Sequence, residues 1–341
     1  MNRIYITDTT LRDGSHSVSH RFSPDDIRKV AGALDAAGID MIELGHGDGL
    51  TGSTINYGFS DYSDFELIEA AAAAVKNARI AVLLLPGIGT VEDLMEAKKA
   101  GINSVRVATH CTEADISMQH IQASKEMGLW TVGFLMMAHL AELDRIVEEA
   151  LKMESYGADV VYVTDSAGAM LPEEVAAKIS AVKKAVKIPV GHHSHNNMGM
   201  AVCNSMAALK AGATHIDGSL NGLGAGSGNT STENLVAVMN KMGWEHGADL
   251  YKTMDAVSKG LLPILEEKGL DVVSNLDSLT IGYAGVYSSF MLHARRAAAR
   301  FSVDIRDILM ELGRRKAVGG QEDWIIEVAS ELKNKANEDK Q

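Results

Sequence analysis

"VEDLMEAKKAGINSVRVATHC" runs from Val91 to Cys111 and holds one whole copy of the unit that decides the fold. It begins as an amphipathic helix over Val91–Ala100, breaks at Gly101, and resumes as the β-rich run Ser104–Ala108. A glycine just past the last helical residue is the usual left-handed helix stop. Gly38, Gly128, Gly157 and Gly212 stand in the same place before other runs. Working outward, short apolar runs at Arg3–Thr7, Met41–Gly45, Ile80–Leu85, Thr131–Met136, Val160–Thr164, Pro189–His193 and His215–Ser219 alternate with amphipathic stretches. Eight runs, each followed by a helix, are the arithmetic of a TIM (β/α)8 barrel. The alternative is a doubly wound open sheet, which calls for a glycine-rich turn after its first strand, and none follows here.

The pattern changes after about residue 245, where the remaining chain reads as helix after helix. We therefore expect a TIM-barrel catalytic domain over 1–245 and a helical C-terminal region over 246–341, which covers the site or packs on another subunit. With 46% hydrophobic residues the chain can bury a large core. A net charge of −13 argues against nucleic acid and anionic membrane surfaces as partners. No apolar run approaches the ~18 residues of a membrane span, and the N-terminus reads as a strand without the apolar region of a signal peptide. Two cysteines, Cys111 and Cys203, imply no disulfide framework. A cytoplasmic protein with a small-molecule substrate is the expectation.

In such a barrel the C-terminal strand ends meet at one face, and active sites lie there. Strand one delivers Arg12, Asp13 and His16, and strand two delivers Glu43, His46 and Asp48. Strand seven ends in "GHHSHNN", with His193 and His195 two apart and so on one face of the strand. Two imidazoles and one carboxylate, of which Asp13 is the best candidate, make a site for Mn²⁺, Mg²⁺, Co²⁺ or Fe²⁺; the competing reading is a hydrogen-bonded histidine cluster. His192 points the other way by strand alternation. Arg12 can fork onto a carboxylate or stabilise charge developing on oxygen, with Glu43 as its buried counter-ion. No lysine before residue 250 stands at a strand end, so Schiff-base chemistry is disfavoured and carbonyl chemistry falls to the metal. "GLGAGSGN", residues 222–229, reads as a tight loop closing over the site, and His110 and Cys111 as its wall.

"TLRDGSH", "HGDGL", "RVATHCTEAD", "GAGSGN", "GYAGVYSSF" and "VGGQED" together resemble the 4-hydroxy-2-oxovalerate aldolases, metal-dependent pyruvate aldolases of aromatic and steroid catabolism. These belong to a wider group of barrel lyases and synthases named for an Asp-Arg-Glu trio, here Asp13, Arg12 and Glu43. The resemblance implies a divalent metal, Mn²⁺ first with Mg²⁺ or Co²⁺ as alternatives, held by Asp13, His193 and His195. It implies Arg12 at the pyruvate enolate, His16 as general base, and Tyr287 reaching over the site. Substrate contacts fall to Arg12, His193 and Tyr287, with Glu43 and Asn197 in support. It also implies an acylating acetaldehyde dehydrogenase as partner, in a heterotetramer. Helical stretches at Tyr283–Phe301 and Ile305–Leu312 would dock it, through Val286, Phe290, Leu292, Ile308, Leu309 and Leu312. One departure is "GHHSHNN", where Asn196 replaces an expected third histidine. Two other readings remain: a Claisen-type acyl-CoA-dependent synthase, which usually carries Gln in place of His16, and a non-catalytic scaffold subunit of a dehydrogenase complex.

Overall fold

Each of the eight runs is a strand: β1 (Tyr5–Leu11), β2 (Met41–Leu44), β3 (Arg79–Leu84), β4 (Ser104–His110), β5 (Trp130–Met136), β6 (Val160–Asp165), β7 (Val190–Ser194) and β8 (His215–Gly218). In this computed structural model, which describes residues 3–270, 280–282 and 284–338, the strands are parallel and close into a barrel in chain order. The connecting helices are α1 (Pro24–Ala36), α2 (Asp64–Ala74), α3 (Val91–Ala100), α4 (Met118–Glu126), α5 (Leu143–Tyr156), α6 (Pro172–Ala185), α7 (Ala201–Lys210) and α8 (Thr232–Met242). α1, α2 and α3 start in capping boxes, with Ser23, Ser63 and Thr90 each exchanging hydrogen bonds with an acid three residues on. The five helix-stop glycines all have positive φ, from 75° at Gly128 to 131° at Gly101.

β1 runs four residues further than its apolar pattern predicts, through Asp8, Thr9, Thr10 and Leu11. The polar side chains Asp8, Thr9 and Thr10 are buried, and each is held by a bond to a group far along the chain, Thr9 by donating to the Gly218 carbonyl. Asp8 accepts from the Thr232 hydroxyl at 2.7 Å, and the Thr10 hydroxyl accepts from the Leu220 amide at 2.7 Å. A buried polar strand end is tolerable when its groups are paired. The pairing of β1 with β2 shifts register between Asp8 and Leu11, and this irregular end carries Arg12 and Asp13 to the barrel mouth.

The C-terminal region has two parts. α9 (Leu250–Asp255), a π-turn over Ala256–Leu261 and α10 (Leu262–Glu267) extend the core of the barrel itself, to which Ala256, Leu261, Ile264 and Leu265 belong. α11 (Phe290–Phe301), α12 (Ile305–Arg314) and α13 (Asp323–Glu338) pack around a second core. This corrects the expected docking face. Val286, Phe290, Ile308, Leu309 and Leu312 are fully buried in that second core, because three amphipathic helices close on one another. Of the six residues only Leu292 is exposed, at 47%. Tyr283 lies outside the described residues. Among the described residues no helix is long and apolar enough to cross a membrane.

One close approach inside the barrel is sensitive to a single carbon. Gly191 of β7 pairs with Tyr162 of β6, and a Cβ on it would fall 2.3 Å from the Tyr162 ring. The ring is fully buried and cannot swing away. Gly191→Ala is expected to destabilise by about 1–3 kcal/mol, the usual cost of overpacking. Urea unfolding followed by circular dichroism reads this directly.

Candidate metal centre and active site

Asp13 opens a short turn, Asp13–His16, directly after β1. His193 lies on β7 and His195 just past it, their rings 5.0 Å apart on the same side. The carboxylate Oδ2 of Asp13 sits 3.4 Å from Nε2 of His193 and 3.4 Å from Nε2 of His195. Its other oxygen accepts the Ala225 amide at 3.1 Å, so the "GLGAGSGN" loop does seat on the site. His193 Nδ1 faces the Asp217 carboxylate at 2.8 Å and donates to it, which leaves the lone pair of Nε2 aimed at Asp13. Three electron-rich atoms thus converge and require a proton or a cation between them. Burial works against charge on His193, yet hydrogen bonds to Asp13 and Asp217 raise it above its ordinary value. Burial pushes His195 down to about 4, so this imidazole is a neutral donor at pH 7. Burial would raise the Asp13 carboxyl, but Arg12, His195 and His193 hold it well below the usual carboxylate range. The donor set, two imidazole nitrogens and a carboxylate oxygen within 4.8 Å of one another, fits a divalent metal ion. His192 is not part of it: its Nδ1 contacts the Val163 carbonyl at 2.7 Å, on the far side of the strand.

Behind these residues runs a circuit of buried charge. Arg12 Nε donates to Glu43 Oε2 at 2.7 Å, and Arg12 Nη1 lies 3.5 Å from Asp13. The same oxygen of Glu43 lies 3.2 Å from Nη1 of Arg106, whose Nη2 donates to Asp217. Asp217 in turn holds His193. Neither Arg106 nor Asp217 was singled out from the sequence. Arg106 did carry a signal: it stands between Val105 and Val107 in a buried strand, where a charge persists only if paired.

His16 lies at the cavity wall, its Nδ1 3.9 Å from Asp48. Its ring meets His20 edge-on at 5.0 Å, and His20 stacks on His46 at 3.8 Å. Burial, with His16 and His46 nearby, drives His20 down to about 2, and its Nδ1 accepts the Gly47 amide. His46 accepts the Asp48 amide at 3.1 Å, which orients its Nε2 proton to the Gly58 carbonyl. Tyr287, from the segment before α11, lines the same cavity as Arg12, Asp13, His16, His193 and His195. Burial and Asp48 push its phenol up, so it stays protonated. Asn197 does not touch the three converging groups; its side chain meets Ser288 and the Ser227 amide and ties the β7 loop to the loops above. Cys111 is buried against the Met137 carbonyl, its thiol pushed up to about 12 by burial, while His110 lines an adjoining cavity. No lysine is among the described residues that line the site.

Residues 3–259 match the HMGL-like family, which defines the class of this barrel. Residues 272–334 match the DmpG-like communication domain. Named 4-hydroxy-2-oxovalerate aldolases resemble the whole chain: that of Carboxydothermus hydrogenoformans is 56% identical over 335 residues, covering 98% of each chain. That of Pelotomaculum thermopropionicum is 57% identical over 329 residues, covering 96% of each. The chain belongs to the 4-hydroxy-2-oxovalerate aldolases, which are carbon–carbon lyases. A likeness of fold alone links it to the carboxyl transferase domain of Rhizobium etli pyruvate carboxylase, with a TM-score of 0.83 at 17% identity over 98% of this chain and 61% of that one.

Glu43 is the point at which two buried guanidinium groups share one carboxylate oxygen. Glu43→Gln keeps the shape and removes the charge that both arginines face. Breaking a buried pair of this kind costs about 3–5 kcal/mol. The midpoint of guanidinium or urea unfolding is expected to fall accordingly.

Proposed function

We propose that this chain cleaves 4-hydroxy-2-oxovalerate, and similar 4-hydroxy-2-oxo acids, to pyruvate and acetaldehyde or another short aldehyde. The observation that carries the reading is the convergence of Asp13, His193 and His195 beside Arg12, in one cavity with His16 and Tyr287. A divalent ion held by Asp13, His193 and His195, Mn²⁺ by preference, would supply Lewis-acid polarisation of the 2-oxo group. His16 removes the proton from the 4-hydroxyl. The C3–C4 bond then breaks, its electron pair moving to the C2–C3 position as the aldehyde forms. Arg12, held by Glu43 and by the Gly47 carbonyl at 3.3 Å, meets the negative charge that grows on the enolate oxygen. Tyr287 covers the substrate from above with a neutral hydroxyl. Reprotonation at C3 gives pyruvate. A carbon nucleophile generated in this way needs no lysine.

The barrel catalyses over 1–245, and within the helical region 246–341 we assign the communication domain to an acylating acetaldehyde dehydrogenase, in a heterotetramer. Tyr287, Ser288 and Ser289 precede α11 and line the active-site cavity, so the docking region and the site share a wall. Aldehyde formed beneath Tyr287 leaves along it. The setting is cytoplasmic and the pathway catabolic.

Asp13→Asn should abolish tight Mn²⁺ binding with the fold intact, as read by calorimetric titration of chelator-stripped protein; wild-type affinity would remove Asp13 from the ligand set. Arg12→Lys should lower turnover by ~10²–10³ in a lactate-dehydrogenase-coupled assay, whereas His16→Ala should impair aldol cleavage and spare pyruvate C3 proton exchange; equal loss of both reactions in His16→Ala would deny it the 4-hydroxyl. Co-expression with a cognate dehydrogenase should give one peak on size exclusion, and two separate peaks at micromolar concentration would sink the docking.

A further inference from the structure

Three of the six groups in the charge circuit line the cavity: Arg12, Asp13 and His193. The other three, Glu43, Arg106 and Asp217, do not reach it, and all are buried. Arg106 stands at the middle of this hidden arc. It comes from β4, has no exposed surface, and lies with its guanidinium carbon 4.4 Å from the Phe134 ring centre and 4.7 Å from that of Tyr162. Those two rings are themselves stacked, 5.6 Å apart, so the guanidinium has a fixed aromatic bed. From it, one nitrogen faces Glu43 and another faces Asp217. Each carboxylate uses the same oxygen again: Glu43 Oε2 for Arg12, and Asp217 Oδ2 for His193.

We infer that Arg106 is a positioning residue for both halves of the reaction centre, orienting Arg12 through Glu43 and His193 through Asp217. The inference rests on the assignment of Asp13, His193 and His195 as metal ligands. Its physical basis is geometric. A carboxylate behind a metal-binding imidazole fixes the ring's orientation and its tautomer, and losing such a partner typically costs 10–100-fold in metal affinity. A carboxylate behind Arg12 fixes where the planar fork points, and misplacement of a charge-stabilising donor is felt in turnover. Only a planar group with several fixed donors can serve two carboxylates in different directions at once, which a lysine ammonium cannot reproduce on the same aromatic bed. Arg106 therefore ties the placement of the ligand His193 to that of Arg12. A purely structural role would make Arg106 matter for stability and nothing else.

The experiment uses the full-length protein, stripped with chelator and titrated with Mn²⁺ by electron paramagnetic resonance, alongside steady-state cleavage of 4-hydroxy-2-oxovalerate with Mn²⁺ saturating. Asp13→Asn serves as the reference: if it binds Mn²⁺ like wild type, the ligand assignment fails rather than this inference. With Asp13→Asn defective, Arg106→Lys is expected to weaken Mn²⁺ binding at least 10-fold and also to lower kcat at least 10-fold at saturating metal. Asp217→Asn is expected to weaken Mn²⁺ binding 10–100-fold with the smaller effect on kcat. If Arg106→Lys does not fold, Arg106→Met with Asp217→Leu removes one charge of each sign and replaces the pair by apolar side chains, a change often neutral for stability; its Mn²⁺ affinity is expected to fall by the same factor. Mn²⁺ affinity and kcat both within twofold of wild type, in whichever folded variant is read, would overturn the inference.

Discussion

The oxygen of Asp217 that accepts from both Arg106 and His193 is the constraint on which the site depends. A closed parallel barrel turns alternate side chains inward and gives them no water. Charges can stand there only if each meets an opposite charge or a hydrogen bond. β7 and β8 pair Gly191 with His215 and His192 with Ile216, which brings His193 beside Asp217. β4 brings Arg106 to the same oxygen from across the barrel, and β2 brings Glu43 to Arg106 and Arg12. The circuit contains two guanidinium groups and three carboxylates, so with His193 neutral it carries one excess negative charge. A cation held by Asp13 and the two imidazoles would offset that excess.

Around this core the mouth is tied by hydrogen bonds from the loops beside it. The β2 loop turns through Gly47, where a Cβ would fall 2.6 Å from the His16 ring, so the backbone can pass directly beneath the histidine. The same residue's carbonyl accepts from Arg12 and its amide donates to His20. The β8 loop seats on Asp13 through Ala225, and the Ser17 hydroxyl bonds to the Gly224 carbonyl. Arg12, Asp13 and His16 are thus held from two neighbouring loops. Preorganisation of this kind is what lets a guanidinium stabilise developing charge without first reorienting.

The C-terminal helices are both cover and a body of their own. Their apolar faces meet in a separate core, and the segment before α11 sends Tyr287, Ser288 and Ser289 into the active-site cavity. Exposed apolar side chains on these helices are few and scattered, among them Leu292, Met310 and Ile326. Among the described residues these helices present no broad apolar surface, only such scattered side chains and their charged faces.

The sequence by itself determined the repeat. Helix stops at glycine, apolar runs of strand length and the two-residue spacing of His193 and His195 are local patterns, and local patterns set which way a side chain points. They were enough to count eight βα units, to put Asp13, Arg12, Glu43, His193 and His195 at one end of the barrel, and to turn His192 away. They could not say what an inward side chain meets. Arg106 and Asp217 are 111 residues apart, and His20, which meets His16 within the first turn, stacks on His46 only because the β2 loop folds over that turn. The same limit hid the end of β1, where Asp8 and Thr10 stay in a strand because Thr232 and Leu220 supply their partners. It also hid the burial of Ile308, Leu309 and Leu312, whose helical spacing reads alike for a docking face and a core. Barrel closure and helix packing decided these points, because both join residues whose separation along the chain carries no local signal.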